Sequence, residues 1–76
     1  MAVTLQYSYA KINVQTGECT TCITCSYEIN AEGWIEVPIS SDDYIGKYYN
    51  ATTDLWYENA EMTVEATEIN EMYHGN

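Results

Sequence analysis

The chain has no phenylalanine, one proline, one histidine and only two basic residues in its 76 positions. Lys11 and Lys47 stand against twelve carboxylates, for a formal net charge of −10. That balance argues against direct contact with nucleic acid or an anionic membrane, because phosphate groups are held by a basic footprint. No apolar run approaches the roughly 18 residues of a membrane span. Met1–Ala10 has neither a basic start nor an apolar stretch of the length an export signal needs. There are three cysteines, an odd number. A secreted disulfide scaffold uses pairs, so the count points to a reducing compartment, here a cytoplasm. Nucleophile-elbow, phosphate-loop and dinucleotide fingerprints are missing as well. His74 has no serine, cysteine or aspartate constellation beside it in the sequence. No carboxylate sits in the apolar setting that would suit it to acid–base work. No catalytic residue is therefore assigned, no cofactor is expected, and the chain is read as non-enzymatic.

What the chain does have is tyrosine. Eight tyrosines and two tryptophans supply all of its aromatic content, within a hydrophobic fraction of 46%. That is enough apolar surface for a folded unit and too much for a disordered one. A length of 76 residues implies one domain spanning 1–76. A domain this small buries only about 60% of its unfolded surface. Each buried tyrosine also brings a hydroxyl that needs a partner, which favours edges and interfaces over a sealed interior.

The pattern along the chain is that of short strands. Val3–Val14 alternates, with Val3, Leu5, Tyr7 and Tyr9 on one face. Ala10, Ile12 and Val14 then fall on the other parity, so a bulge or a break is expected near Tyr9–Ala10. Gln15-Thr16-Gly17-Glu18 is a turn, with Gly17 suited to positive φ. Cys19–Ile29 is the second strand and Trp34–Ile39 the third, with Pro38 marking an edge or an end. Ser41–Tyr57 holds four of the eight tyrosines and reads as two aromatic runs, Tyr44–Tyr49 and Leu55–Tyr57, around the polar turn Asn50–Asp54. Gly46 inside the first run implies a bulge or a close backbone approach. In the acidic C-terminal segment, about 58–76, Met62, Ala66, Ile69 and Tyr73 recur at helical spacing. A helix is expected over about Val64–Tyr73, with Thr63 as N-cap and Gly75 as its stop. The fold class is mainly β: a small antiparallel sheet domain with a short C-terminal helix.

Three features carry candidate chemistry. Cys19, Cys22 and Cys25 form C-x-x-C-x-x-C, but a fourth metal ligand is wanting. On a strand, Cys19 and Cys25 would face one way and Cys22 the other. No metal site is assigned. Glu58, Glu61, Glu65 and Glu68 form an acidic stripe, either a solvated helix face or a row of charges that mimics phosphates. Tyr48, Tyr49, Trp56 and Tyr57 are the expected protein-contact anchors, since tyrosine and tryptophan dominate interface energetics. On this view Trp34 anchors the domain's own core and Trp56 is left to face a neighbouring chain.

The order of segments adds a resemblance. Tyr9-Ala10-Lys11-Ile12 precedes the Gly17-Glu18-Cys19 turn, then Tyr27-Glu28-Ile29 and Trp34-Ile35-Glu36-Val37-Pro38. Tyr44-Ile45-Gly46-Lys47-Tyr48-Tyr49-Asn50 and Leu55-Trp56-Tyr57-Glu58 follow. From Tyr9 to Glu58 this resembles small proteins and tail-fibre end domains encoded near the tail and lysis genes of tailed bacteriophages. The resemblance implies a virion component made in the bacterial cytoplasm, a homo-oligomer bound to other tail proteins, and it carries over no catalytic residues. The alternative is an acidic phage inhibitor of a host defence nuclease, acting by nucleic-acid mimicry through Glu58, Glu61, Glu65 and Glu68.

The cysteine reading makes a first prediction. Circular dichroism should be the same with and without a strong chelator. Loss of the β signal on chelation, restored by zinc, would make the three cysteines a structural metal site.

Overall fold

The computed structural model describes residues 6–75, so the Val3–Leu5 part of the first expected strand lies outside the described residues. Strands β1 (Tyr7–Ile12), β2 (Cys19–Cys25) and β3 (Trp34–Val37) form an antiparallel sheet in the order β2-β1-β3. A 3-10 turn at Asp42–Tyr44 leads to the hairpin of β4 (Tyr48–Asn50) and β5 (Leu55–Tyr57), and helix α1 (Thr67–His74) ends the chain. The fold is mainly antiparallel β with one C-terminal helix, as the periodicities imply. No helix among the described residues is long and apolar enough to cross a membrane.

The turn between β1 and β2 begins at Asn13, earlier than expected. Asn13 Oδ1 accepts from the Gln15 amide at 2.8 Å, and the Gly17 amide closes on the Asn13 carbonyl at 2.6 Å. Gly17 has φ 83°, and its carbonyl accepts from the Tyr49 amide at 2.9 Å. A Cβ there would lie 2.7 Å from the Tyr49 carbonyl oxygen. Glycine is thus required where the backbone of the first hairpin meets that of the second. The Cys19 amide donates to the Lys47 carbonyl at 2.8 Å, and the Gly46 amide to the Cys19 carbonyl at 2.9 Å. Gly46 lies in a turn and not within a strand, and a Cβ there would meet nothing within 4 Å, so its φ of 88°, and not a bulge or a close approach, accounts for the glycine.

The first aromatic run is shorter as a strand than its composition implies. Ser41 accepts the Asp43 amide on its hydroxyl at 3.2 Å and caps the 3-10 turn. Tyr44 is consumed by that turn, and extended pairing starts only at Tyr48. The helix also starts late. Asn59 Oδ1 accepts the amides of Thr63 and Val64, both at 3.1 Å, and its Nδ2 donates to Thr63 Oγ1 at 2.7 Å. The β-branched pair Thr63–Val64 stays outside the helix, and Glu65 forms an isolated antiparallel bridge with Tyr57. Ala66 occupies the N-cap position without a side-chain bond, in place of the expected Thr63. Gly75 does end the helix, at φ 75°.

The core is aromatic and centres on Trp56, which is 0% exposed. Its ring lies 5.0 Å from Tyr44, 5.1 Å from Tyr49 and 6.1 Å from Tyr73, centroid to centroid. Ala10, Cys19, Val37, Ala66 and Ile69 complete the cluster. The Trp56 peptide unit is held equally firmly. Its amide donates to Asn70 Oδ1 at 2.7 Å, and its carbonyl accepts from Asn70 Nδ2 and the Ala66 amide. One side chain of α1 thereby completes the hydrogen bonding of a strand edge. The Tyr44 hydroxyl and the Trp56 indole N–H are buried without a hydrogen-bond partner in the chain.

Two substitutions test this core. Trp56→Ala should cost about 3–5 kcal/mol in urea unfolding, the range for truncating a buried aromatic. Tyr44→Phe should stay within about 1 kcal/mol of the parent or exceed it, because it removes an unpaired buried hydroxyl. A large loss for Tyr44→Phe would mean that the hydroxyl is bonded after all.

Candidate functional site

The structure redistributes the expected contact residues. Tyr49 and Trp56 are direct cross-strand partners, as are Tyr48 and Tyr57. Trp56 is wholly enclosed, and Tyr49 and Tyr57 are each 9% exposed. Tyr48 is half-buried. The expectation that Trp56 faces a neighbouring chain is therefore corrected: its ring is the centre of its own core. Tyr49 and Tyr57 have little free surface to offer.

Trp34 takes the place that Trp56 vacates. Strand register sets Lys11 opposite Trp34 and Ala10 opposite Ile35. Ile35 and Val37 thus share the inner face with Ala10, and Trp34 shares the outer face with Tyr9 and Lys11. On that outer face Trp34 meets the Tyr9 ring edge-on at 6.4 Å, and Lys11 Nζ lies 5.5 Å from the Trp34 centroid. The Tyr9 hydroxyl accepts the Ile29 amide at 2.9 Å, so the loop after β2 folds over this ring and buries it. Tyr7 and Trp34 remain half-buried and Tyr27 is 64% exposed. Glu28, Asn30 and Glu36 border a shallow cavity of about 330 Å³ beside Trp34. This aromatic sheet face is the candidate contact surface.

The acidic stripe does not run along a helix. Glu58 and Glu61 lie in turns, Glu65 in the β-bridge, and only Glu68 is helical. Glu58, Glu65 and Glu68 nevertheless line one cleft together with Asp42 and Asp43. Glu61 stays outside it, within 3.3 Å of Asn59 Nδ2. Lys47 Nζ sits 3.1 Å from Glu58 and is the cation of this cleft.

The cysteines also depart from simple alternation. The ladder steps from Lys11–Thr21 to Ile12–Cys19, so Thr20 is a bulge. The extra residue reverses parity and turns Cys19 inward with Cys22, while Cys25 sits opposite Tyr7 on the outer side. Cys19 Sγ donates to the Thr21 carbonyl, and Cys22 Sγ accepts the Ser41 amide. Burial pushes the Cys19 thiol up to about 11 and raises that of Cys22 as well. Both are protonated thiols at neutral pH, the opposite of a reactive thiolate. Among the described residues, no group of three or more histidine, cysteine or acidic side chains is arranged to hold a metal ion.

One site was not foreseen. Asp54 lies in the hairpin turn at φ 57°, and its Oδ1 accepts the hydroxyls of Tyr49 and of Tyr73, the latter at 2.8 Å. His74 Nε2 lies 2.9 Å from the Asp54 carbonyl oxygen. This clasp fastens the end of α1 to the β4–β5 hairpin. Sequence spacing alone showed Asp54 as a turn residue, because its partners are five and nineteen residues away.

The hydroxyl bonds from Tyr49 and Tyr73 lower the Asp54 pKa below its ordinary value. A carboxylate whose pKa is lowered by folding contributes stability above its unfolded pKa of about 3.9 and loses that contribution as pH falls through the folded value. Asp54→Asn should therefore flatten the acid limb of the urea-midpoint profile below about pH 4. An unchanged acid limb would remove Asp54 from the pH response. In comparison with known proteins, no family model, curated sequence or solved structure matches this chain.

Proposed function

We propose that the chain is a non-enzymatic structural or accessory protein of a bacteriophage tail or tail fibre, working through protein–protein contacts. The observation that carries the contact role is the aromatic outer face of the three-stranded sheet. Tyr7 and Trp34 are half-buried on that face, and Tyr27, in the loop that follows β2, is 64% exposed. Uncovered aromatic surface of this kind marks interaction sites, and tryptophan and tyrosine are the residue types that dominate their energetics. The tail reading draws its support from the resemblance between Tyr9 and Glu58. Of the segments of that pattern, Tyr9–Ile12 falls in β1, Trp34–Val37 in β3, Tyr48–Asn50 in β4 and Leu55–Tyr57 in β5, while Tyr27–Ile29 lies outside the strands. On this proposal the chain is a virion component, self-associating and bound to other tail proteins.

The mimicry alternative has less support. A phosphate mimic inserts its charges into the nucleic-acid-binding groove of its target protein and so needs them on a projecting surface. Glu58, Glu65 and Glu68 instead line a recess.

Trp34→Ala should weaken association by about 2 kcal/mol or more, the scale of an interface hot spot. Sedimentation equilibrium reads self-association, and urea unfolding of the same variant reads stability. Mass spectrometry of purified virions should find the chain in the particle. A chain absent from virions sinks the tail assignment. A Trp34→Ala variant that assembles normally sinks the sheet face.

A further inference from the structure

The recess that gathers the carboxylates has a second property. Its lining includes Ile45 and Val64, which are 43% and 54% exposed, beside the core residue Ile69 and its neighbour Met72. Two of the large apolar side chains left most exposed among the described residues thus meet in one cleft of about 800 Å³. Asp42, Asp43, Glu65 and Glu68 surround them.

Among the described residues no cation is free to neutralise this rim. The chain has no arginine in its sequence. Lys47 is engaged by Glu58 at 3.1 Å. Lys11 lies over the Trp34 ring, on the outer face of the sheet. His74 is bonded at the Asp54 turn. The four rim carboxylates therefore have no cationic partner among the described residues. They do not converge as a metal-ion site either.

We propose that this cleft is a docking groove for a lysine- or arginine-rich amphipathic segment of a partner protein. The choice of occupant follows from the two properties together. Lysine and arginine lay an apolar stem along an apolar floor while the charged head reaches outward. Ile45 and Val64 supply the floor, and the carboxylates meet the heads. An apolar partner would leave the rim charges uncompensated. A second copy of this chain would bring ten more net negative charges to the contact. The groove is built from the 3-10 turn, its link to β4, and the segment from Glu58 to Met72. The aromatic sheet face is built from other residues, so the two surfaces can be tested separately.

The experiment uses the full chain and a synthetic lysine–leucine amphipathic peptide, with oligolysine of equal charge as the comparison probe. NMR amide shifts locate binding and titration gives affinity. The lysine–leucine peptide should shift Ile45, Val64, Glu65 and Ile69, and oligolysine should bind several-fold more weakly. Ile45→Ser with Val64→Ser leaves the charge unchanged and alters exposed side chains, so folding should survive, as circular dichroism would verify. That variant should lose roughly tenfold in affinity for the amphipathic peptide. Neutralising Asp42, Asp43, Glu65 and Glu68 to Asn or Gln should lose at least about tenfold at low salt. Neutralising Glu28, Glu32, Glu36 and Glu61 removes the same charge elsewhere and should change affinity by less than about threefold. Equal losses in the two charge-matched variants, or shifts scattered over the acidic surface, would reduce the groove to general electrostatics and overturn the proposal. So would full-strength binding after loss of the Ile45–Val64 floor.

Discussion

The indole of Trp56 and the peptide unit that carries it hold three separate parts of the chain together. The ring packs between Tyr44, which follows the first sheet, and Tyr49 and Tyr73 of the hairpin and helix. The peptide amide and carbonyl are both taken by the C-terminal segment, through Asn70 and Ala66. A strand of three residues has little pairing of its own. Short strands are stable only when their side chains and edges are used to the full, and at Trp56 both are. The Asp54 clasp and the Gly17–Tyr49 contact then brace the same hairpin from its turn and from the first sheet.

This economy explains a tyrosine-rich core in a chain without phenylalanine. A small domain needs large side chains to enclose any interior. Here Tyr9, Tyr49 and Tyr73 direct their hydroxyls to a loop amide and to the Asp54 carboxylate, so their polar ends reach partners while the rings of Tyr9 and Tyr49 are buried and Tyr73 is partly buried. Tyr44 is the exception, with a hydroxyl that burial pushes up to about 12 and that has no partner. Its ring fills the space between Trp56 and the Cys19–Cys22 side of the sheet, and the packing outweighs the unmade bond.

The fold class was legible because its signals are local. Turn residues punctuate the strands, and Gly75 ends the helix as expected. Strand W-I-E-V even encoded its orientation. Glu36 shares parity with Trp34, so the face carrying Trp34 meets water and the Ile35–Val37 face meets the core. Giving that parity more weight than the size of tryptophan would have exchanged the roles of Trp34 and Trp56. Leu55-Trp56-Tyr57 offered no such marker, since all three are apolar and only the cross-strand register decides. The Thr20 bulge was hidden for a similar reason: in C-T-T-C either threonine fits either face. The cleft and the clasp were not legible at all, because they join residues that only the tertiary fold brings together.

The charge and the aromatic face pull on assembly in opposite directions. Burying Trp34 and Tyr27 against another copy gains apolar contact but brings two chains of net charge −10 together. That repulsion is screened by salt, so the proposed self-association through the sheet face would strengthen as ionic strength rises. A basic segment entering the cleft follows the reverse rule, since salt screens an attraction. Both contacts can exist on one chain because they draw on different residues: β1 to β3 and the loop after β2 for one, the 3-10 turn and the Glu58–Met72 segment for the other. The acidity that hinders a homotypic contact is then the property that selects a heterotypic one. If both proposals hold, the chain joins a larger assembly through a basic partner, and its own copies come close only after that partner has offset their charge.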